Sequence, residues 1–497
     1  MIESSDYRTF FPAQRRTRLP GGYMGRILRV DLSTGELIDL HLPEEPILRR
    51  YWGGQLFAEY VLLNELPMNI DPYDARNVIV GMTGPITGTG FTPGGTKMCF
   101  VYLSPTTRYT LGRGATSGYF GTSLKAAGYD GVIITGAAQQ PTYLYIGEDK
   151  VELRDAGPVW GKGARATEDI LRDESGHQDA RVGCIGPAGE SLIRAAMFVN
   201  DYNHNAAHGL GAVMGSKKLK AIVTWGTKRP RLHDKHTLIE AGVRWRKAIA
   251  ARTTTVKKRL TSVGHGEDWG AITKLNWRST VITDEAKGLD QNRVVLRPCF
   301  QCPRMCPWDV EVGEGRFKGS VGHFNAGSEW MDTFYNLGFK GNDVLYLSER
   351  INDLGIECSH FACGAGLAFE AWEKGVLGAD RTDGLRLEWG NLHAAETLLE
   401  RCARRETWLG NILADGPKEL AEALGGEAKS WVVHTKGGTP AQHEWRPLLS
   451  QMLRELVASG GRKPQGAGGT DPPADLLYRE KWGPLDPTQP DGWTNSH

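Results

Sequence analysis

Three cysteines, Cys299, Cys302 and Cys306, stand in the run Pro298-Cys-Phe-Gln-Cys-Pro-Arg-Met-Cys-Pro307, and their spacing constrains this chain more than any other feature. A C-x2-C-x3-C loop folds three thiolates around one point, and the flanking prolines stiffen it. Three such sulfurs suit three corners of a cubane [4Fe–4S] cluster, whose fourth iron then takes a ligand from elsewhere. Zinc is the rival occupant, although a structural zinc site ordinarily draws paired ligands from two clusters. No second C-x2-C or H-x3-H lies nearby. The plain alternative is three unrelated thiols, which a proline-bounded run of this density argues against. A cluster moves single electrons, so the loop points to redox chemistry.

Length and charge bound the setting. At 497 residues the chain has room for two or three domains. Its 59 basic against 58 acidic residues leave a net charge of +1, which gives no field for gripping nucleic acid or an acidic membrane surface. Eight cysteines in a chain this long read as reduced thiols of a cytoplasmic protein rather than a disulfide framework. Of these, Cys99, Cys184, Cys363 and Cys402 are expected to be buried structural thiols. Arg15-Arg16 is followed by no apolar stretch, so no export is expected. No segment approaches the ~20 apolar residues of a membrane span.

The pattern along the chain is that of an α+β protein. From Gly25 to about Gly226 it is strand-rich: Arg26–Leu32 alternates at period two into the turn Ser33-Thr-Gly35, and apolar runs follow at 77–81, 98–103, 131–135, 142–146 and 221–224. Helices are expected to be few there, with 167–174 the best case. After about Arg231 helical spacing takes over, at 236–262, 345–354, 362–375, 394–405 and 417–424. The expected division is a β-rich domain over 1–230, a helical domain with the cysteine loop over 231–437, and a short piece over 438–497. Within that last piece 446–459 has helical spacing, and the Gly- and Pro-rich stretch 460–475 reads as a linker.

Glycine, at 63 residues, is nearly double the usual ~7% share. Much of it lies in three polar runs of the first half: 82–97, 113–121 and 200–215. Backbone N–H groups in such loops cradle a phosphate or a polar heterocycle, because no Cβ stands in the way. Neither a Walker pattern nor a Rossmann G-x-G-x-x-G is present. Each loop alone is most often a tight turn; three in one β-rich domain upstream of a cluster suggest one large phosphorylated cofactor laid on a sheet.

Several segments together resemble the tungsten-dependent aldehyde:ferredoxin oxidoreductases: Gly25–Gly35, Ser117-Gly-Tyr-Phe-Gly121 with Gly128-Tyr-Asp130, Ile185–Glu190, Gly211–Lys217, Pro298–Cys306 and Asn352–Ile356. The likeness runs in order from about residue 22 to about 438. Tyr202–His208 and the tryptophan-flanked 269–277 are further similar to the branch with the class II benzoyl-CoA reductase catalytic subunit. The resemblance implies an N-terminal β domain that serves as the base for two pyranopterins, whose dithiolene sulfurs hold tungsten. A magnesium ion would bridge the pterin phosphates, and a [4Fe–4S] cluster would carry electrons to ferredoxin or a ferredoxin-like subunit.

Carried onto this chain, the resemblance makes Cys299, Cys302 and Cys306 the cluster ligands. Asp353, with Gly355 and Ile356, would bind an amino-pterin ring, and Asn205 and Ala206 would contact phosphates and magnesium. Gly94, Gly95, Ser117 and Gly118 would lie against the cofactor. Thr96, beside Lys97, stands where the family has a pterin-contacting arginine, and Ala115 where it has an asparagine. Met331 stands in place of a glutamate near tungsten, which leaves Glu329, His265 and Glu267 as candidate proton carriers. His265-Gly-Glu-Asp268 with His204 and His208 could alternatively hold a second metal. Cys358 would face a pterin or tungsten. The family's third domain, which supplies a second pterin contact and the fourth cluster ligand, would be represented here by only the short segment after Gly437.

The expected function is a tungsten-bispterin oxidoreductase acting on an aldehyde or other oxo substrate, as a homo- or hetero-oligomer. Two alternatives stand beside it: an aromatic acyl-CoA reductase subunit, and a cofactor-poor homologue that acts as a scaffold.

Overall fold

The computed structural model describes residues 11–12, 18–90, 95–106, 110–250, 273–280, 288–303, 307–324, 329–440, 453 and 456. The period-two segment forms strand β1 (Arg26–Asp31), and β2 (Glu36–His41) returns against it, with Arg26 opposite His41 and Asp31 opposite Glu36. The turn is held by the Asp31 carboxylate, which accepts the Ser33 N–H at 2.8 Å. β3 (Ile79–Thr83), β4 (Met98–Leu103), β5 (Leu111–Thr116) and β6 (Gly131–Thr135) complete a mixed sheet in the order β2-β1-β6-β3-β4-β5, with β1 and β6 parallel.

A second six-stranded sheet is made of β7 (Thr142–Ile146), β8 (Val151–Asp155), β9 (Arg181–Ile185), β10 (Phe198–Asn200), β11 (His204–Ala206) and β12 (Leu219–Thr224), in the order β11-β10-β9-β12-β7-β8. The two sheets stack on one apolar layer. Leu28, Phe100 and Tyr102 from the first meet Leu144, Phe198 and Ile222 from the second, each at most 1% exposed. The Phe198 ring lies 5.1 Å from that of Phe100 and 5.2 Å from that of Phe120. Helices Glu45–Tyr51 and Gly54–Glu65 cover the other face of the first sheet, with Phe57, Val61 and Leu62 against Ile27, Val80 and Val101. Sequence reading assigns neither helix. Pro46 and the Gly53-Gly54 pair interrupt the apolar spacing that would reveal them.

Side chains alternate across a strand, so β10 serves two cores. Phe198 points into the inter-sheet layer, whereas Val199 points into a second cluster built largely by helices. Those helices are Glu329–Asn336, Gly341–Leu354, Cys358–Glu373, Leu392–Arg404, Thr407–Asp415 and Pro417–Leu424. The expected helices at 345–354, 362–375, 394–405 and 417–424 are all present, two of them starting about four residues earlier than their apolar spacing indicates. Lys235–Ala250 is helical as expected, and the remainder of 236–262 lies outside the described residues.

A three-stranded antiparallel sheet, β13 (Arg293–Leu296), β14 (Trp308–Glu311) and β15 (Val321–Phe324), stands between the two halves. The cysteine segment is the connection from β13 to β14. The expected helix at 446–459 and the linker after it lie outside the described residues, 453 and 456 excepted. Among the described residues no helix is long and apolar enough to cross a membrane.

Candidate redox site

The cysteine loop is closed at its base, where Arg297 N donates to Pro307 O at 2.8 Å, and at its tip, where Cys302 N donates to Cys299 O at 3.0 Å. The Arg297 guanidinium pairs with Asp309 on β14 at 2.7 Å, which ties the loop to its own sheet. Cys299 is buried and Cys302 half-buried; Cys306 lies outside the described residues. The loop docks on the first half of the chain through Phe300, whose N–H donates to Gly118 O at 3.3 Å and whose ring meets Tyr119 edge-on at 6.1 Å.

That contact brings three expected segments together. Gly118 has φ +78, and a Cβ there would come within 2.2 Å of Asp201 Oδ2 and 2.7 Å of His204 Cδ2, so only glycine fits the turn. Asp201 Oδ2 in turn accepts the Tyr119 N–H at 2.6 Å, and Asn200 Nδ2 donates to Ser117 O at 3.1 Å. Four residues before Gly118, on β5, a Cβ on Gly114 would meet that of Ala206 at 2.9 Å, so β5 and β11 nearly touch. Ala115, Ser117, Gly118, Asn205 and Ala206 therefore share one neighbourhood. His204 opens β11, and its Nε2 stands 3.6 Å from Cys299 Sγ. Burial pushes this imidazole down to about 4, against the pull of Asp201, so it is neutral near pH 7.

The segment after Ile351 joins the two halves. Met197 N donates to Gly355 O at 2.8 Å, Glu357 N donates to Ala195 O at 3.1 Å, and Ile356 forms an isolated bridge with Ala196. The Asp353 carboxylate does not face this neighbourhood. It accepts the Arg165 N–H at 2.9 Å at the start of helix Ala164–Ser175, and it packs so tightly over Gly163 that a Cβ there would lie 2.2 Å from it. An acid at a helix N-terminus satisfies backbone donors that have no partner within the helix. The inward residue is Asn352, 1% exposed, whose Nδ2 donates to Tyr202 O while its Oδ1 has no partner. The last turn of the helix rotates successive residues by about 100°, which separates these two neighbours onto different faces.

Other unsatisfied groups gather around Tyr202. Asn205 Oδ1, Glu168 Oε2 and His323 Nε2 are all buried with no hydrogen-bond partner among the described residues. The Glu168 side chain is fully buried, and its Oε1 accepts the Tyr202 N–H at 2.9 Å. Burial, with Asp201 nearby, pushes its carboxyl well above the usual range, and Arg172 only partly offsets this. His323 on β15 holds Asp309 Oδ1 at 2.6 Å through Nδ1, and its ring stacks on Tyr202 at 4.7 Å. Burial tends to raise Asp309, yet His323 and Arg297 hold it below the usual carboxylate range. Asp201 and Tyr202 both take left-handed φ, +47 and +64, a strained pair that the surrounding contacts must hold in place. Buried polar groups are ordinarily paired, so unfilled acceptors around a strained segment mark where a ligand with N–H or O–H donors fits.

Several expected residues are placed elsewhere or lie outside the description. Thr96 is buried and Lys97 exposed, with Gly95 O accepting the Gly88 N–H at 3.0 Å. Gly94, His265 and Glu267 lie outside the described residues; Glu329 opens its helix, and its side chain is likewise outside them. His204 and His208 do not converge: the first meets Cys299, and the second has its N–H 3.3 Å from Glu357 Oε2. Among the described residues no group of three or more His, Cys, Asp or Glu could hold a metal ion. Cys358 is buried at the start of its helix. Sequence reading misses Glu168, Asp309, His323 and Asn352. An isolated Glu in a helix and a His–Asp pair made by strand register leave no local spacing to read, whereas Asn352 is the first residue of the family-like segment Asn352–Ile356.

Comparison with known proteins bears on the same segments. The profile of the aldehyde ferredoxin oxidoreductase N-terminal domain matches residues 27–226, and that of domains 2 and 3 matches residues 245–467. A tungsten-containing aldehyde ferredoxin oxidoreductase of Pyrococcus horikoshii is 34% identical over 444 residues, which is 82% of this chain and 68% of the relative. The aliphatic sulfonate oxidoreductase WOR-like subunit of Pyrococcus furiosus is 30% identical over 459 residues, 86% of this chain and 72% of the relative. Among solved structures, the active-site complex BamBC of benzoyl coenzyme A reductase with 1,5-dienoyl-CoA matches with a TM-score of 0.79. It covers 93% of this chain and 74% of that one at 23% identity, a likeness of fold.

Proposed function

The chain belongs to the aldehyde ferredoxin oxidoreductase family, an oxidoreductase of that type, and from this premise we propose that it is a tungsten-bispterin enzyme. In this reading it oxidises an aldehyde or comparable oxo substrate and passes the electrons through a [4Fe–4S] cluster to ferredoxin or a ferredoxin-like subunit in the cytoplasm. The observation that carries it is the convergence of Cys299, Gly118 and the strand His204–Ala206 on one spot, with the unpaired acceptors of Asn205 and Asn352 beside it. Bound there, a metallopterin supplies two-electron chemistry at its metal, and the protein supplies binding, orientation and proton handling.

The residues of the chain divide that work. Cys299, Cys302 and Cys306 would hold the cluster. Asn352 would accept an N–H of the pterin ring, the task expected of Asp353, whose carboxylate is committed to Arg165 N. Asn205 and Ala206, with Ser117 and Gly118, would line the phosphate end together with its magnesium. Glu168 Oε2, which has no hydrogen-bond partner, would face a polar group of the cofactor. The domain division near residue 230 belongs to the same reading.

The run Tyr202–His208 supports a second reading, reduction of an aromatic acyl-CoA thioester with electrons from a partner subunit. Anaerobic purification with elemental analysis is the decisive experiment. Tungsten together with about four irons per chain is expected, and iron alone or neither metal would leave a scaffold homologue. With a viologen as electron partner, turnover of aldehydes rather than aryl-CoA esters separates the two enzyme readings.

A further inference from the structure

We propose that His204 donates a hydrogen bond to the sulfur of Cys299 and thereby sets the reduction potential of the cluster at this loop; this rests on the reading of the loop as a cluster site given above. His204 Nε2 lies 3.6 Å from Cys299 Sγ, a distance at which a ring N–H reaches a sulfur acceptor. Both residues are buried, at 9% and 8% exposure, so water competes little for either partner. The imidazole is also wedged. Its Cδ2 edge faces Gly118, where a Cβ would lie only 2.7 Å away, and Gly118 O is the acceptor for the Phe300 N–H next to Cys299. The ring therefore fills the gap between the glycine turn and the cysteine loop, and neither neighbour leaves it room to swing aside.

Hydrogen bonds to ligating sulfurs are one of the levers that set a cluster's potential, and outer-shell partners of ligands are commonly polar donors of this kind. A donor aimed at a thiolate draws negative charge off the sulfur. It stabilises the reduced, more negative cluster and moves the potential upward, more strongly in a buried setting than in water. His204 also begins β11, the strand that carries Asn205 and Ala206. The same short strand would thus touch the cluster through one side chain and the cofactor through the next two residues, which makes His204 a positioning residue between the redox groups.

The test uses the full chain prepared anaerobically, as wild type, His204→Leu and His204→Gln, with iron and sulfide content and an EPR-monitored redox titration of each. Iron content should be the same in all three. The midpoint potential of His204→Leu should move to a more negative value, and His204→Gln, whose amide can donate, should lie closer to wild type. An unchanged potential in an iron-replete His204→Leu overturns the proposal alone. Loss of iron from both variants also overturns it, because His204 would then act as a ligand or as packing. Absence of iron from the wild-type chain would sink the cluster reading and this proposal with it.

Discussion

Lys220 and Glu168 are both ionisable side chains buried against the second sheet, and the interior treats them in opposite ways. Lys220 Nζ donates to Lys162 O at 2.9 Å, Ile185 O at 2.7 Å and Glu190 Oε1 at 2.5 Å, so all three of its protons are placed. Glu168 has one oxygen paired with Tyr202 N and the other with no hydrogen bond, only the Arg172 guanidinium at 3.7 Å, and Asn205, Asn352 and His323 each also keep one buried polar atom without a hydrogen bond. A closed set of hydrogen bonds marks a group that holds the fold together. An open set beside a strained segment such as Asp201-Tyr202 marks a surface shaped for something else, whereas single buried oxygens without a hydrogen-bond partner also occur away from it, at Glu65, Asp130 and Glu419. Backbone strain and open acceptors together, rather than open acceptors alone, set this neighbourhood apart.

Lys220→Met presses hardest on the scaffold side. It leaves Glu190 buried without its cation, which should cost about 3–5 kcal/mol in chemical denaturation; a loss below about 1 kcal/mol would show that a closed hydrogen-bond set does not mark structural weight. The next effect comes from His360, also on the scaffold side, whose Nε2 donates to Leu413 O at 2.8 Å. Burial pushes it down from 6.5 to about 4. Between those values the unfolded chain binds a proton that the folded chain refuses. Stability is therefore full above pH 6.5 and is lost as pH falls toward 4, by about 3 kcal/mol for one such group. Unfolding free energies at two pH values should show this slope in wild type and a flatter one in His360→Gln. Asn352→Leu should have the smallest effect on stability, about 1 kcal/mol, because it removes an unpaired oxygen along with one hydrogen bond. Its pterin content, read by fluorescence of the released cofactor, should nevertheless drop. A melting temperature lowered as far as in Lys220→Met would erase the distinction.

Local chemistry was legible in the sequence where it depends on near neighbours. Alternation revealed β1, and the spacing of Cys299 and Cys302 marked a tight loop that the structure closes with a single backbone hydrogen bond. Gly118 lies in a glycine-rich run whose spacing points to a tight turn, and its φ of +78 against Asp201 and His204 is such a turn. What could not be read is what depends on rotation or on distance along the chain. The motif points to Asp353 for the pterin contact; the structure adds that its carboxylate meets the Arg165 N–H at a helix start, while Asn352, one step around its own helix, is buried. His323 meets Asp309 only because β14 and β15 pair in that register, and His204 meets Cys299 across 95 positions of chain.

The backbone bonds from Ala195 and Met197 to the Gly355–Glu357 stretch have a consequence for how the protein can be made. They join residues 195–197 to residues 355–357 through main-chain groups, which no side-chain replacement can remove. Were the chain split between these stretches, each piece would present bare amide and carbonyl groups to other chains, a recognised invitation to strand-to-strand clumping. Such pieces should therefore be insoluble alone and recover solubility only when translated together.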